Sequence, residues 1–96
     1  MKTLDDCRVK IDELDDKLLD ILNERMKVVE RVGEIKHESG GAIYRPEREK
    51  AIIERLALKS KNDGGLLNKA AIEAMFLELF AVSRNLELPE RIAYLG

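Results

Sequence analysis

The stretch LDDCRVKIDELDDKLLDILNERMKVVERVGEIK, residues 4–36, decides the fold. Leu4, Cys7, Ile11, Leu14, Leu18, Ile21, Val28, Val32 and Ile35 recur in steps that alternate between three and four, and Arg25 fills the one remaining place in the series. That alternation is the a/d seam of a long packed helix. A guanidinium keeps its proton in a protein, and burying one without a partner is prohibitive. Something anionic should therefore meet Arg25. A Glu or Asp of a neighbouring helix would make it a structural ion pair; the alternative is an anionic ligand held between helices.

The helix that carries this seam is expected from about Leu4 to about Glu38. Thr3 can cap it, and Asp5 and Asp6 suit the positive end of its dipole. Gly33 is an internal weak point that so long a pattern tolerates, and Gly40-Gly41 ends it. About 35 residues at ~1.5 Å per residue make a rod of roughly 50 Å, whereas a compact domain of this size has a radius of gyration near ~13 Å. The residues that remain cannot cover such a rod. The fold expected is all-α, three helices with a very long first helix, in an intertwined homodimer that pairs the long helices of two chains.

The 96 residues fit one small domain, and 45% apolar content suffices for a core. With 17 basic against 19 acidic side chains and a net charge of −2, the balance argues against a general nucleic-acid binder. Cys7 is the single cysteine; on the seam it reads as a small hydrophobe, not a nucleophile, and it has no intrachain partner for a disulfide. Met1 leads into Lys-Thr-Leu-Asp-Asp without an apolar signal region, and no stretch is apolar enough to span a membrane. The expected compartment is the reducing cytoplasm.

The second helix should open at Arg45-Pro46, with proline at its first position and Glu47 and Glu49 in its first turn. Ile52, Ile53, Leu56 and Ala57 form its apolar stripe, and residues 59–65 read as a turn-rich loop. Asn68 should cap the third helix, whose buried face is Ala71, Ile72, Met75, Phe76, Leu79, Phe80 and Val82. Pro89 stops it. Residues 91–96 are a short strand-like run that cannot stand alone as a strand.

Several polar residues fall into register. Lys36 follows Arg25 by eleven residues, about three turns, so the two share a face about 16 Å apart and can hold a small polyanion between them. Arg8 lies roughly 100° round the helix and can reach only a partner's pocket. Arg48 and Glu49 sit where the second helix presents free backbone N–H groups. Ser83 and Glu87, spaced i, i+4, share one face near the end of the third helix.

Four ordered segments carry a family resemblance: Arg8-Val-Lys-Ile-Asp-Glu-Leu-Asp15, Leu18-Leu-Asp-Ile-Leu-Asn-Glu-Arg25, Val32-Gly-Glu-Ile-Lys36 and Arg45-Pro-Glu-Arg-Glu49. The chain resembles the all-helical chorismate mutases over nearly its whole length. Its tail, Arg91-Ile-Ala-Tyr-Leu-Gly96, is similar to the opening strand of a prephenate dehydratase domain. The resemblance implies a mutase domain over residues 1–88, with 89–96 a linker and the start of a dehydratase domain that this chain lacks. It implies conversion of chorismate to prephenate by a pericyclic rearrangement, in phenylalanine and tyrosine biosynthesis, with no cofactor, no metal and two pockets shared across a homodimer. By position in the family pattern, Arg25 clamps one carboxylate and Arg8 of the other subunit a second. Lys36 reaches a carboxylate and the ether oxygen. Glu49, helped by backbone N–H groups near Arg45, binds the ring hydroxyl; Arg48 and Ser83 complete the carboxylate shell; Glu87 faces the ether oxygen from the side opposite Lys36.

Two positions depart from a common form of that pattern. Arg45 stands where some members carry an acid; the change matters little if the contact is through backbone N–H, whereas a contact through the side chain would add positive charge at the pocket mouth. Glu87 stands where some have Gln; a carboxylate, unlike an amide, donates a hydrogen bond only when protonated. Two other readings compete: a non-catalytic helical dimerisation module, and a regulatory domain that binds an anionic metabolite without turning it over. Lys36 together with Glu87 discriminates, because a binding module has no use for donors at a breaking ether bond.

Overall fold

Thr3 starts the long helix α1, Leu4–Ser39, with a reciprocal cap. Its Oγ1 accepts the Asp6 N–H at 3.0 Å, while Asp6 Oδ2 accepts the N–H groups of Thr3 and Lys2 at 3.3 Å each. In the computed structural model, residues 2–39 and 45–87 are described, and they form α1, α2 (Pro46–Asn62) and α3 (Lys69–Glu87), with no strand among them. Gly40-Gly41, Pro89 and the strand-like tail lie outside the described residues.

The expected starts of the other two helices are found. Pro46 is the first residue of α2, and the Arg45 carbonyl accepts the N–H groups of Arg48 and Glu49 at 3.1 Å each. Asn68 caps α3 through Oδ1, which accepts the Ala71 N–H at 2.9 Å. The end of α2 differs from expectation. Residues 59–62, read as loop from their polarity, continue the helix, and the break comes only where Gly64 adopts φ 70°. The Lys59 ammonium donates to Asp63 Oδ2 at 2.7 Å, and the Gly65 N–H returns to the Ser60 carbonyl at 2.7 Å. Polar side chains do not end a helix; a residue free to take positive φ does.

Helix α3 is central, with α1 packed on one side and α2 on the other. Ile53 of α2 and Ile72 and Phe80 of α3 form the buried core. Phe76 meets Phe80 edge-on, with centroids 5.9 Å apart. Ala71 and Leu79 are half-buried as expected, whereas Met75 and Val82 are exposed. A stripe broad enough to include them exceeds what α1 and α2 of the same chain cover.

Helix α1 corrects the seam in a more telling way. Toward α3 it turns a neighbouring stripe, Leu22, Met26, Val29 and Gly33, not the a/d seam itself. The seam residues Ile11, Leu18, Ile21 and Val28 are 54, 53, 61 and 64% exposed in the single chain. Thus α1 carries two adjacent apolar faces, and α3 covers only the C-terminal half of one. The 36 residues of α1 reach about 54 Å, which accounts for the 53 Å long axis of the chain. The radius of gyration, 16.8 Å, exceeds the ~13 Å of a compact domain.

Gly33 is more than a tolerated weak point. A Cβ there would stand 2.8 Å from Glu87 Cα and 3.1 Å from its carbonyl oxygen. The glycine is what lets α1 and α3 approach backbone to backbone at the end of α3. Helix propensity alone favours alanine over glycine by about 1 kcal/mol, but the clash is with main chain that can move only by shifting a helix. Gly33→Ala is therefore expected to lose about 1–3 kcal/mol of stability, the usual cost of forced overpacking, in urea unfolding of the dilute protein. A more stable Gly33→Ala protein would contradict the close packing.

Candidate functional site

The C-terminal half of α1, the first turns of α2 and the last turns of α3 enclose a cleft of about 420 Å³. That volume is in the range of small-molecule sites. Each helix delivers its polar residues by the register that its apolar face fixes. Helix α1 brings Arg25 and Lys36; α2 brings Arg48 and Glu49, with Arg45 just before its first turn; α3 brings Ser83 and Glu87. The floor between them is apolar, made by Val29, Val32, Ile52 and Phe80.

Two ion pairs tie the helices across the cleft. Lys36 Nζ lies 3.3 Å from Glu87 Oε1, with side chains only 21% and 9% exposed. Glu87 is the one buried charged residue among those described. The two side chains meet directly in the cleft, whereas the family pattern sets them on opposite sides of the ether oxygen of a bound substrate. The Gly33 contact explains this: it brings α3 against α1 one turn before Lys36. The second pair joins Arg84 Nη1 to Glu49 Oε2 at 2.6 Å, linking α3 to α2.

Arg25 has a different environment. Its Nη1 donates to Ser83 Oγ at 3.2 Å, and its guanidinium carbon lies 6.0 and 5.9 Å from the ring centroids of Phe76 and Phe80. Ser83 in turn donates to the Leu79 carbonyl at 2.8 Å, which leaves its oxygen lone pairs for Arg25. Among the described residues no carboxylate lies within ion-pair distance of Arg25, so the structural ion pair considered for it is not made within them. A hydroxyl and two ring faces orient the charge without neutralising it. Arg48 likewise has no carboxylate partner among the described residues, while Arg45 Nε lies 3.8 Å from the exposed Glu47. In all, the cleft has five cationic side chains and two acidic ones, in a chain whose net charge is −2. The local excess of positive charge suits an anionic ligand.

Arg8 is the exception among the residues singled out from sequence. It is exposed on the N-terminal half of α1, 3.8 Å from Asp5, and does not line the cleft of its own chain. Arg84 is the residue the sequence reading missed. Its signal was available: it precedes Glu87 by three residues and follows Phe80 by four, so it shares their face of α3.

Comparison with known proteins gives a consistent picture. The chorismate mutase type II family matches residues 7–88. The bifunctional chorismate mutase/prephenate dehydratase of Aquifex aeolicus is 37% identical over 97 residues, covering all of this chain and 27% of that protein. Its namesake in Neisseria gonorrhoeae is 38% identical over 89 residues, 93% of this chain and 23% of the relative. A chorismate mutase of Methanocaldococcus jannaschii is 43% identical over 56 residues, 58% of this chain and 57% of that protein. The chain spans about a quarter of the length of the bifunctional relatives it matches.

The two cations on α1 should respond differently to removal. Arg25→Met gives up one hydrogen bond and two ring contacts but relieves an uncompensated charge, and stability should stay within about 1 kcal/mol of the parent. Lys36→Met strands the buried Glu87 carboxylate and should lose about 2 kcal/mol. Urea denaturation of both variants measures this; a loss of several kcal/mol for Arg25→Met would make Arg25 a structural residue.

Proposed function

The chain belongs to the chorismate mutase type II family, and from that premise we propose that it rearranges chorismate to prephenate in the cleft between its helices, as an isomerase of aromatic amino acid biosynthesis. The observation that carries the proposal is the pair of guanidiniums, Arg25 and Arg48, that face the cleft without carboxylate partners among the described residues, beside the Lys36 ammonium. Chorismate brings two carboxylates, and the surplus charge is of the size that a dianion neutralises.

The reaction is unimolecular. The ether C–O bond breaks as a C–C bond forms, through a chair-like arrangement in which negative charge grows on the ether oxygen. The protein must hold the reactive conformer and stabilise that charge. Arg25, already oriented by Ser83 and two phenyl rings, clamps one carboxylate bidentately. Arg48 and Ser83 add to the carboxylate shell. Glu49 accepts the ring hydroxyl near the start of α2, where Arg45 contributes positive charge at the cleft mouth. Lys36 donates to the ether oxygen, and the apolar floor keeps the local dielectric low, which strengthens each of these contacts.

Each cleft is completed in a homodimer. The exposed seam of α1 supports this, since a continuous apolar face of that length marks an interaction surface. Arg8, off the cleft of its own chain and on the uncovered half of α1, then reaches the partner's cleft. Light scattering should give twice the 10.9 kDa chain mass. Loss of chorismate absorbance on adding the purified chain tests the activity. Mixing an Arg8→Ala chain with an Arg25→Ala chain should restore turnover, because one pocket of the heterodimer keeps both arginines. No recovery after demonstrated subunit exchange would exclude Arg8 as a residue acting across the interface.

Glu87 contributes to the ether oxygen only when its carboxyl carries a proton, since a carboxylate only accepts. Glu87→Gln supplies a permanent N–H donor of the same shape, and its turnover of chorismate should equal or exceed the parent's. A variant less active than the parent would leave Lys36 as the sole donor.

A further inference from the structure

Arg84 has no place in the carboxylate shell or at the ether oxygen, yet it makes one of the shortest polar contacts in the cleft. Its Nη1 lies 2.6 Å from Glu49 Oε2, and Glu49 is well covered, its side chain 19% exposed. The pair runs from the last turn of α3 to the first turn of α2, so it fixes one carboxylate oxygen from a helix that α2 packs against. Glu49 itself lines the cleft. We infer that Arg84 is a positioning residue that sets Glu49 for recognition of the substrate's ring hydroxyl, and so determines specificity for a hydroxylated ring. The inference rests on the mutase reading of the cleft.

Two physical effects make the pair consequential. A carboxylate facing a pocket built for a dianion repels its ligand unless a cation offsets it; Arg84 offsets it without using Arg25, Arg48 or Lys36. A carboxylate free to rotate also accepts a hydroxyl in many geometries, most of them unproductive. Engaging Oε2 removes that freedom, and a donor that grips one oxygen of the acceptor turns the other toward the hydroxyl. Arg84 thus acts through Glu49 and not by touching the substrate.

The test compares chorismate with an analogue that keeps both carboxylates and the enol ether but lacks the ring hydroxyl. The parent protein should favour chorismate over this analogue in kcat/KM. Arg84→Leu should lose about tenfold in kcat/KM on chorismate, the rate equivalent of one charge-assisted hydrogen bond, and much less on the deoxy analogue. Arg84→Lys, which keeps the cation, should recover part of the loss, and Arg84→Leu in a Glu49→Gln background should add little to the Glu49→Gln effect. Equal losses on both substrates would mean that Arg84 binds a carboxylate or serves only the fold, and would overturn the inference, as would an unchanged preference in Arg84→Leu. Should Arg84→Leu fail to fold, Arg84→Lys and Glu49→Gln decide through the same substrate ratio: the inference requires Glu49→Gln to lower it and Arg84→Lys to fall between that variant and the parent. A parent protein without activity on chorismate would instead overturn the mutase reading itself, a distinct outcome.

Discussion

The backbone approach of α1 to α3 at Gly33 and Glu87 is the constraint on which the cleft depends. Two helices joined by side chains alone stand 8–10 Å apart; here a missing Cβ lets Glu87 Cα come to within the reach of a single methyl group of α1. Lys36 follows Gly33 by three residues on nearly the same face, so the same contact that closes the helices delivers the ammonium to the Glu87 carboxylate. Eight residues earlier on α1, Arg25 meets Ser83, four residues before Glu87 on α3. The contacts that link 25 with 83 and 36 with 87 run in the same direction along both helices, but the intervals differ in length: eleven residues on α1 against four on α3. Arg25 and Lys36 reach Ser83 and Glu87 through long, flexible side chains.

Charge in the cleft is arranged in two grades. Lys36 with Glu87 and Arg84 with Glu49 are neutral pairs that tie α3 to its two neighbours. Arg25 and Arg48 are left to act on whatever enters. Pairing some cations and sparing others keeps the free protein from holding five like charges together, while retaining enough positive potential to draw an anion. The partially covered pairs contribute specificity of geometry more than stability, since desolvation offsets much of their attraction.

Much of this was legible in the chain. The caps at Thr3 and Asn68 and the start at Pro46 rest on local chemistry, on side-chain oxygens and a missing N–H, and local chemistry survives folding. Arg25 and Lys36 could be placed on one face because eleven residues make three turns of any helix. What could not be read was which of two adjacent stripes on α1 meets α3, because a 3-4 pattern marks a face as apolar without saying what covers it. The role of Gly33 was hidden for the same reason: propensity sees a weak helix former, and only the neighbouring helix shows why alanine would not fit. Arg84 was passed over because a charged residue beside Ser83 reads as surface unless its partner, 35 residues earlier in the chain, is known.

The long helix also links assembly to chemistry. In one chain α3 covers only the C-terminal half of α1, and that half carries Arg25 and Lys36. The N-terminal half, with Arg8 and the exposed Ile11, Leu14 and Leu18, finds no cover among the described residues of its own chain. In the proposed dimer, burying this half and completing the cleft are one event, because the same rigid helix presents the seam to the partner and Arg8 to the partner's site. Stability and activity would then share a dependence on protein concentration, and a substitution at Leu14 or Leu18 would weaken turnover without touching the cleft of its own chain.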